Sequence, residues 1–251
     1  MKYLEYEQLE NISNFLTQRD MGGRILNGRI EAFSCKRAGE DKKLSKVLEA
    51  KMVESLQVDD DDEVPTMRSR ASSLGDLSEV STRRLLIDLI STLNASFPDY
   101  DFSNAKTDDF VPQSSLTYVL QRVNSYLAEI TVNNSSFLDE MWRTMDEIIG
   151  LKNCEVYSYV PDMSEDPFSD GSLWSFNFFF FNKDLKRICY FTCVATSLMM
   201  QGRTGLYDDD DDDDEAGGED DNNYEDDDNG GGYDDLGDEG LDSDALSQEN
   251  S

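Results

Sequence analysis

No histidine occurs anywhere in the 251 residues. The commonest general base and the commonest metal ligand are therefore missing. A Ser–His–Asp triad or a Cys–His dyad cannot be assembled, and no GxSxG stretch is present. Cysteine is scarce and scattered: Cys35, Cys154, Cys189 and Cys193 contain no CxxC pair, the spacing on which structural zinc sites are built. The N-terminal stretch MKYLEYEQLENISNFL is acidic and amphipathic rather than an apolar leader. The cysteines thus read as reduced thiols of a cytosolic or nuclear protein. No run approaches the ~18–20 apolar residues of a membrane helix. The glycines of RDMGGR (19–24) lead to no GK[ST] ending, so a phosphate loop is not expected. The spacing of a calcium-binding EF-hand loop is not met either. The expectation is a protein without catalytic residues, cofactor or metal.

Positive charge is also short. Lys and Arg number 22 against 54 Asp and Glu, for a net charge of -32. The imbalance is local. From Asp208 to Ser251 there are 22 acids and no Lys or Arg, whereas residues 1–207 carry 32 acids and 22 bases. The reading is a single globular domain over 1–200 and a disordered acidic tail over 201–251, where repulsion is high and little is apolar. Direct sequence-specific nucleic-acid binding is not expected of an acidic domain whose cations come in small groups, such as Arg83-Arg84 and Lys183…Lys186-Arg187, because phosphate neutralisation needs them clustered.

What is present is periodicity. Leu9, Ile12, Phe15 and Leu16 share a helical stripe within 5–20, stopped by Met21-Gly22-Gly23. Alternation predicts a strand over 25–36. Leu85, Leu86, Leu89, Ile90 and Leu93 predict a helix over 81–96 with Ser81 as N-cap. Further helices are predicted over 114–130, capped by Ser114 or Ser115, and over 137–149, ended by Gly150. Strands follow over 154–160, 172–181 and 186–195, the last two joined as a hairpin by NKDL. The fold class is α+β: a mainly antiparallel four-stranded sheet packed with helices. Residues 38–80 read as a mobile insertion with a short helix near 41–56.

The densest signal is WSFNFFFF, 174–181. It reads as a strand buried on both faces. If helices covered one face only, Trp174, Phe176, Phe178 and Phe180, or else Phe179 and Phe181, would form an exposed patch of the kind that marks partner sites. In the insertion, KKLS sets Ser45 behind a basic pair, and RSRASS sets Ser72 and Ser73 behind Arg68 and Arg70. Basophilic kinases read such cations upstream of an accessible serine, and phosphorylation there would add roughly -1.5 to -2 charges.

Taken together, GRIEAFSCK (28–36), FPDYDFS (97–103), LWSFNFFFFNKDLKRICYF (173–191) and the acidic tail resemble the eukaryotic Maf-type repressors of RNA polymerase III transcription, which are distinct from the leucine-zipper Maf family. The resemblance covers about residues 1–200, interrupted at 38–80, and the tail and insertion point to a plant member. It implies a non-enzymatic repressor that binds RNA polymerase III and/or its TBP-containing initiation factor and blocks recruitment. It also implies control by phosphorylation of the insertion through basophilic and nutrient-responsive kinases and a phosphatase, with shuttling between nucleus and cytoplasm. It nominates Pro98, Asp99, Tyr100, Asp101 and Phe102 as one family box. Trp174, Asn182, Lys183, Lys186 and Arg187 belong to another. Ser45, Ser72 and Ser73 match the regulatory role by context. The competing reading is an acidic, histone-chaperone-like or DNA-mimic protein that binds basic partners through its tail.

Overall fold

The computed structural model describes residues 1–36, 40–58, 73–132, 134–161, 167–168 and 171–198. The predicted acidic tail lies outside them. In chain order the elements are β1 (Lys2–Leu4), α1 (Glu7–Leu16), β2 (Arg19–Asp20), β3 (Arg24–Ser34), α2 (Glu40–Val58), α3 (Val80–Ser96), β4 (Phe110–Pro112), α4 (Leu116–Tyr126), α5 (Phe137–Ile149), β5 (Cys154–Tyr159), β6 (Ser172–Asn182) and β7 (Arg187–Ser197).

The predicted α+β class holds, with more strands than the four expected. All seven pair antiparallel in the order β1-β3-β7-β6-β5-β4, and β2 adds to β3 beside β1. The additional strands have two or three residues each, too few for an alternation to register. The four long strands match the predicted ones closely. β6 and β7 pair from Trp174↔Ala195 to Asn182↔Arg187, and β3 joins β7 from Arg24↔Ser197 to Ser34↔Arg187.

Strand alternation sends the phenylalanines both ways. Phe176, Phe178 and Phe180 enter one core with Leu9, Leu16, Val119, Val123, Met141 and Met145, under α1, α4 and α5. Phe179 and Phe181 enter a second core with Phe33, Ile188 and Tyr190, under α2 and α3. The exposed patch envisaged for a half-covered sheet therefore does not form. Each ring buried in this way stabilises the fold by roughly 1.5–3 kcal/mol.

Local chemistry explains the corrections at helix ends. α1 stops at Leu16, not residue 20. Gln18 adopts a left-handed backbone (φ 51) and donates its N–H to Asn27 Oδ1 at 3.0 Å, while Arg19 and Asp20 pair with β3. Ser81 is not the N-cap of α3. Glu79 holds that position, and the Ser81 hydroxyl donates to the Glu79 carboxylate. Ser115 does cap α4, accepting from Tyr118 N–H at 3.1 Å. The chain leaves that helix after Tyr126 in a 3-10 turn, Ala128–Val132, so the predicted helix over 114–130 is shorter. Gly150 closes α5 at φ 66, the left-handed region where glycine is preferred.

The insertion differs most from expectation. Residues 40–58 are helical, with Leu48 buried on the second core and Glu49 4.0 Å from Arg83 of α3. This helix packs on the domain instead of standing apart from it, because its apolar stripe finds a seat that the sequence did not reveal.

Candidate functional site

The residues nominated from sequence lie in three separate places. The first is the loop after α3. Pro98, Asp99, Tyr100 and Asp101 are exposed, with Tyr100 at 45 %, whereas Phe102 is buried. The Phe102 amide donates to Asn94 Oδ1 at 2.8 Å, which folds the loop back on α3. Asp101 accepts from the Ser103 N–H at 2.9 Å. Hydrogen bonds from the Ser103 side chain and amide hold the Asp101 carboxyl below the usual range, and Lys51 of α2 adds to the effect. Phe97 anchors the loop among Phe168, Tyr190 and Tyr100, and Arg29 lies 4.2 Å over its ring.

The second place is the tip of the β6–β7 hairpin. Lys183 and Lys186 are exposed there. Lys183 Nζ stands 3.5 Å from Glu155, a surface pair worth little by itself. Lys186 has φ 53, and its carbonyl accepts from Cys35 N–H at 2.9 Å. Asn182 is buried and internally engaged: its amide donates to the Ile149 carbonyl at 2.7 Å and its Oδ1 accepts from Leu185 N–H at 3.0 Å. Arg187, half-buried, donates to the Ile148 carbonyl. Both residues tie the tip to the end of α5.

Trp174 occupies the third place. It lies eight positions before Asn182 along β6, roughly 26 Å of strand, so the two ends of this family box cannot form one contact point. Its ring lies 4.7 Å from Tyr126 and is stacked at 6.1 Å on Phe176. Of the nominated serines, Ser45 is buried within α2. Ser73 is half-buried, its hydroxyl 2.7 Å from both the Thr107 and the Phe110 carbonyl oxygens. Ser72 lies outside the described residues.

Two features escaped the sequence reading. One is a cleft of about 710 Å³ between the start of α3 and the hairpin tip, with Leu85, Tyr157 and Phe181 on its apolar side and Arg84, Lys183 and Lys186 near Glu79, Asp88 and Glu155. The other is a buried polar knot on the same face of the sheet. Asn177 Oδ1 accepts from the Tyr190 and Thr192 hydroxyls, each at 2.7 Å. An Asn within a phenylalanine run was the available signal, since a buried amide must find partners.

Burial, followed by the charge of Asp146, pushes the Cys154 thiol up to about 12. Burial pushes Cys189 and Cys193 higher still. At neutral pH all three stay protonated, and a thiol in that state is a poor nucleophile. Among the described residues, no group of three or more His, Cys, Asp or Glu is placed to hold a metal ion. No described helix is long and apolar enough to cross a membrane.

Comparison with known proteins accounts for this arrangement. Residues 26–192 match the family model described as Maf1 regulator. The chain is 35% identical over 207 residues to the repressor of RNA polymerase III transcription maf1 of Schizosaccharomyces pombe, covering 81% of this chain and 86% of that one. It is 33% identical to the repressor of RNA polymerase III transcription of Dictyostelium discoideum, covering 77% and 84%. A crystal structure of citrus MAF1 superposes with a TM-score of 0.60 at 34% identity, covering 76% of this chain and 98% of that one. With the family model running from β3 to β7 and the fold shared with a solved relative, the chain belongs to the Maf1 family of regulators.

Proposed function

We propose that this protein represses transcription by RNA polymerase III by docking onto the polymerase and/or its TBP-containing initiation factor and blocking recruitment. The observation that carries the reading is the division of the family boxes. Their phenylalanines fill the two cores, while Asp99, Tyr100, Asp101, Lys183 and Lys186 stand on the surface, where packing does not require them. An exposed polar or aromatic residue in such a box serves a partner more readily than the fold. Control runs through phosphorylation of the insertion, at Ser45, Ser72 or Ser73, by basophilic and nutrient-responsive kinases and its reversal by a phosphatase. The protein moves between cytoplasm and nucleus with that state.

Pull-down from nuclear extract followed by in vitro tRNA-gene transcription tests the function. The expected result is recovery of polymerase subunits and loss of tRNA synthesis on adding the protein. Recovery of histones alone, with tRNA synthesis unaffected, overturns it. Deleting residues 208–251 separates the two readings further: a histone binder loses its affinity, whereas the repressor keeps the polymerase.

A further inference from the structure

The last part of the insertion, residues 73–79, runs to α3 over the second core as a strap. Two leucines seat it: Leu74 and Leu77 pack against the second core. Gly75 supplies a turn at φ 108. Asp76 accepts from Ser78 N–H at 2.8 Å, and Glu79 N–H donates to the Asp76 carbonyl. At the far end, Arg83 Nη1 donates to the Leu77 and Ser78 carbonyls, each at 2.7 Å. At the near end the side-chain fastening is Ser73. Its one hydroxyl proton serves two carbonyl oxygens, those of Thr107, in the turn before β4, and of Phe110, the first residue of β4.

We infer that Ser73 is the catch of this strap and that phosphorylation of its hydroxyl releases it, widening the cleft that Leu74 lines. This rests on the reading of Ser73 as a kinase substrate and states what the modification does. A kinase transfers the γ-phosphoryl group of a nucleoside triphosphate to Ser73. The Oγ–P bond forms, the β–γ anhydride bond breaks, the hydroxyl proton passes to a base of the kinase, and the nucleoside diphosphate leaves. The ester oxygen that remains has no proton to donate. Its phosphate carries nearly two negative charges, and its seat is faced by the negative ends of two carbonyl dipoles. Seated, the phosphoserine would take the Ser73 donor from both carbonyls, leaving Thr107 only the Phe110 N–H, and would set anion against oxygen, so the strap must leave.

The same geometry gives the order of events. Ser73 is half-buried and bonded, and a kinase needs an extended, accessible serine. Modification therefore captures the released state, and the phosphate then prevents reseating, a shift of population between two conformations. Release takes Leu74 out of the lining of the cleft and widens access to its apolar side of Leu85, Tyr157 and Phe181 beside Lys183 and Lys186. Those two lysines belong to the surface through which the protein is proposed to act. The catch thus links the insertion to the hairpin tip without any change in the sheet.

The test uses the full chain with phosphoserine installed at position 73 by genetic encoding, compared with the unmodified chain and with Ser73→Ala by hydrogen–deuterium exchange. The expected result is amide exchange over 74–79 faster by about tenfold or more in the phosphoserine protein. Ser73→Ala lies between the two, and α1, α5 and β7 stay unchanged. Equal or slower exchange over 74–79 overturns the proposal. So does faster exchange spread over both faces, because Ser73 would then support the whole fold rather than fasten a strap. Incubating the unmodified full chain with a basophilic kinase and a nucleoside triphosphate tests the underlying reading separately. Absence of label at Ser73 removes the serine from the regulatory set, whereas the installed phosphoserine still decides whether the catch is mechanical.

Discussion

On one face of the sheet, α1, α4 and α5 cover side chains made almost wholly of carbon and sulfur, from Leu9 and Met141 to Phe178 and Cys193. On the other, α2, α3 and the strap share the surface with the knot of Asn177, Tyr190 and Thr192 and, among the described residues, border a cleft of about 710 Å³ by the hairpin tip and one of about 400 Å³ beside Arg29 and Phe97. The contrast teaches a division of labour. The first face is packed tightly enough that a Cβ on Gly28 would meet Cys193 Sγ at 3.0 Å and Leu16 Cβ at 3.1 Å, and interiors of that density hold one arrangement. The second face carries α2, the strap and the loop of Tyr100. Beside the long helices α2 and α3, its cover includes two short segments, the strap and the loop of Tyr100, each fastened by a few hydrogen bonds, and such segments open locally at lower cost than a packed core.

The comparison breaks most sharply at the first face. Phe178→Ala leaves a void in the first core and is expected to cost about 3–5 kcal/mol, measured by chemical denaturation. A loss below about 1 kcal/mol would show that this face yields more readily than its packing implies.

Alkali offers a second handle, because each face holds buried weak acids. Cys154, Cys189 and Cys193 belong to the first face, Tyr157 and Tyr190 to the second. Burial raises all five, to about 12 for Cys154. A raised acid keeps its proton in the folded state after the unfolded chain has released it. Its contribution is therefore complete below the unfolded value and is lost as pH rises toward the folded one. The melting temperature should fall by about 5 °C or more between pH 8 and pH 11. Tyrosinate absorbance should appear before thiolate absorbance, because the second face opens first. Simultaneous appearance, or a flat melting profile, would erase the distinction.

A smaller loss is expected at the polar knot. Asn177→Ala strands the Tyr190 and Thr192 hydroxyls and should cost about 1–3 kcal/mol, with Tyr190→Phe partly restoring the loss in the double variant. If Asn177→Ala were neutral, water would already reach the knot. Least affected is the tip: Lys183→Ala should shift stability by no more than about 0.5 kcal/mol while weakening polymerase capture. Unchanged capture would move the contact surface away from the hairpin.

Much of this fold was legible from residue spacing. The four long strands, the helix over 137–149 with Gly150 at its end, and the two-faced burial of the phenylalanines all follow from periods of 2 and 3.6 and from the conformational freedom of glycine. The family boxes were legible as words, but their division was not. That Phe102 and Asn182 are interior while Tyr100 and Lys186 are exposed depends on which atoms arrive opposite them. Arg29 lies over Phe97 and donates to the Ser96 carbonyl. Nothing within several residues of it in sequence announces those partners.

By itself, then, the amino-acid order determined the alternation and helical stripes that make a sheet with an apolar interior, and the absence of histidine that removes the usual catalytic base. Only the tertiary structure decided that residues 40–58 dock as a helix, that Ser73 meets the carbonyls of Thr107 and Phe110 across more than thirty residues of chain, and that one face closes while the other keeps its clefts. The physical reason is range. Periodicity is written between neighbours along the chain, whereas a hydrogen bond to a distant carbonyl exists only after loops have closed and brought it there.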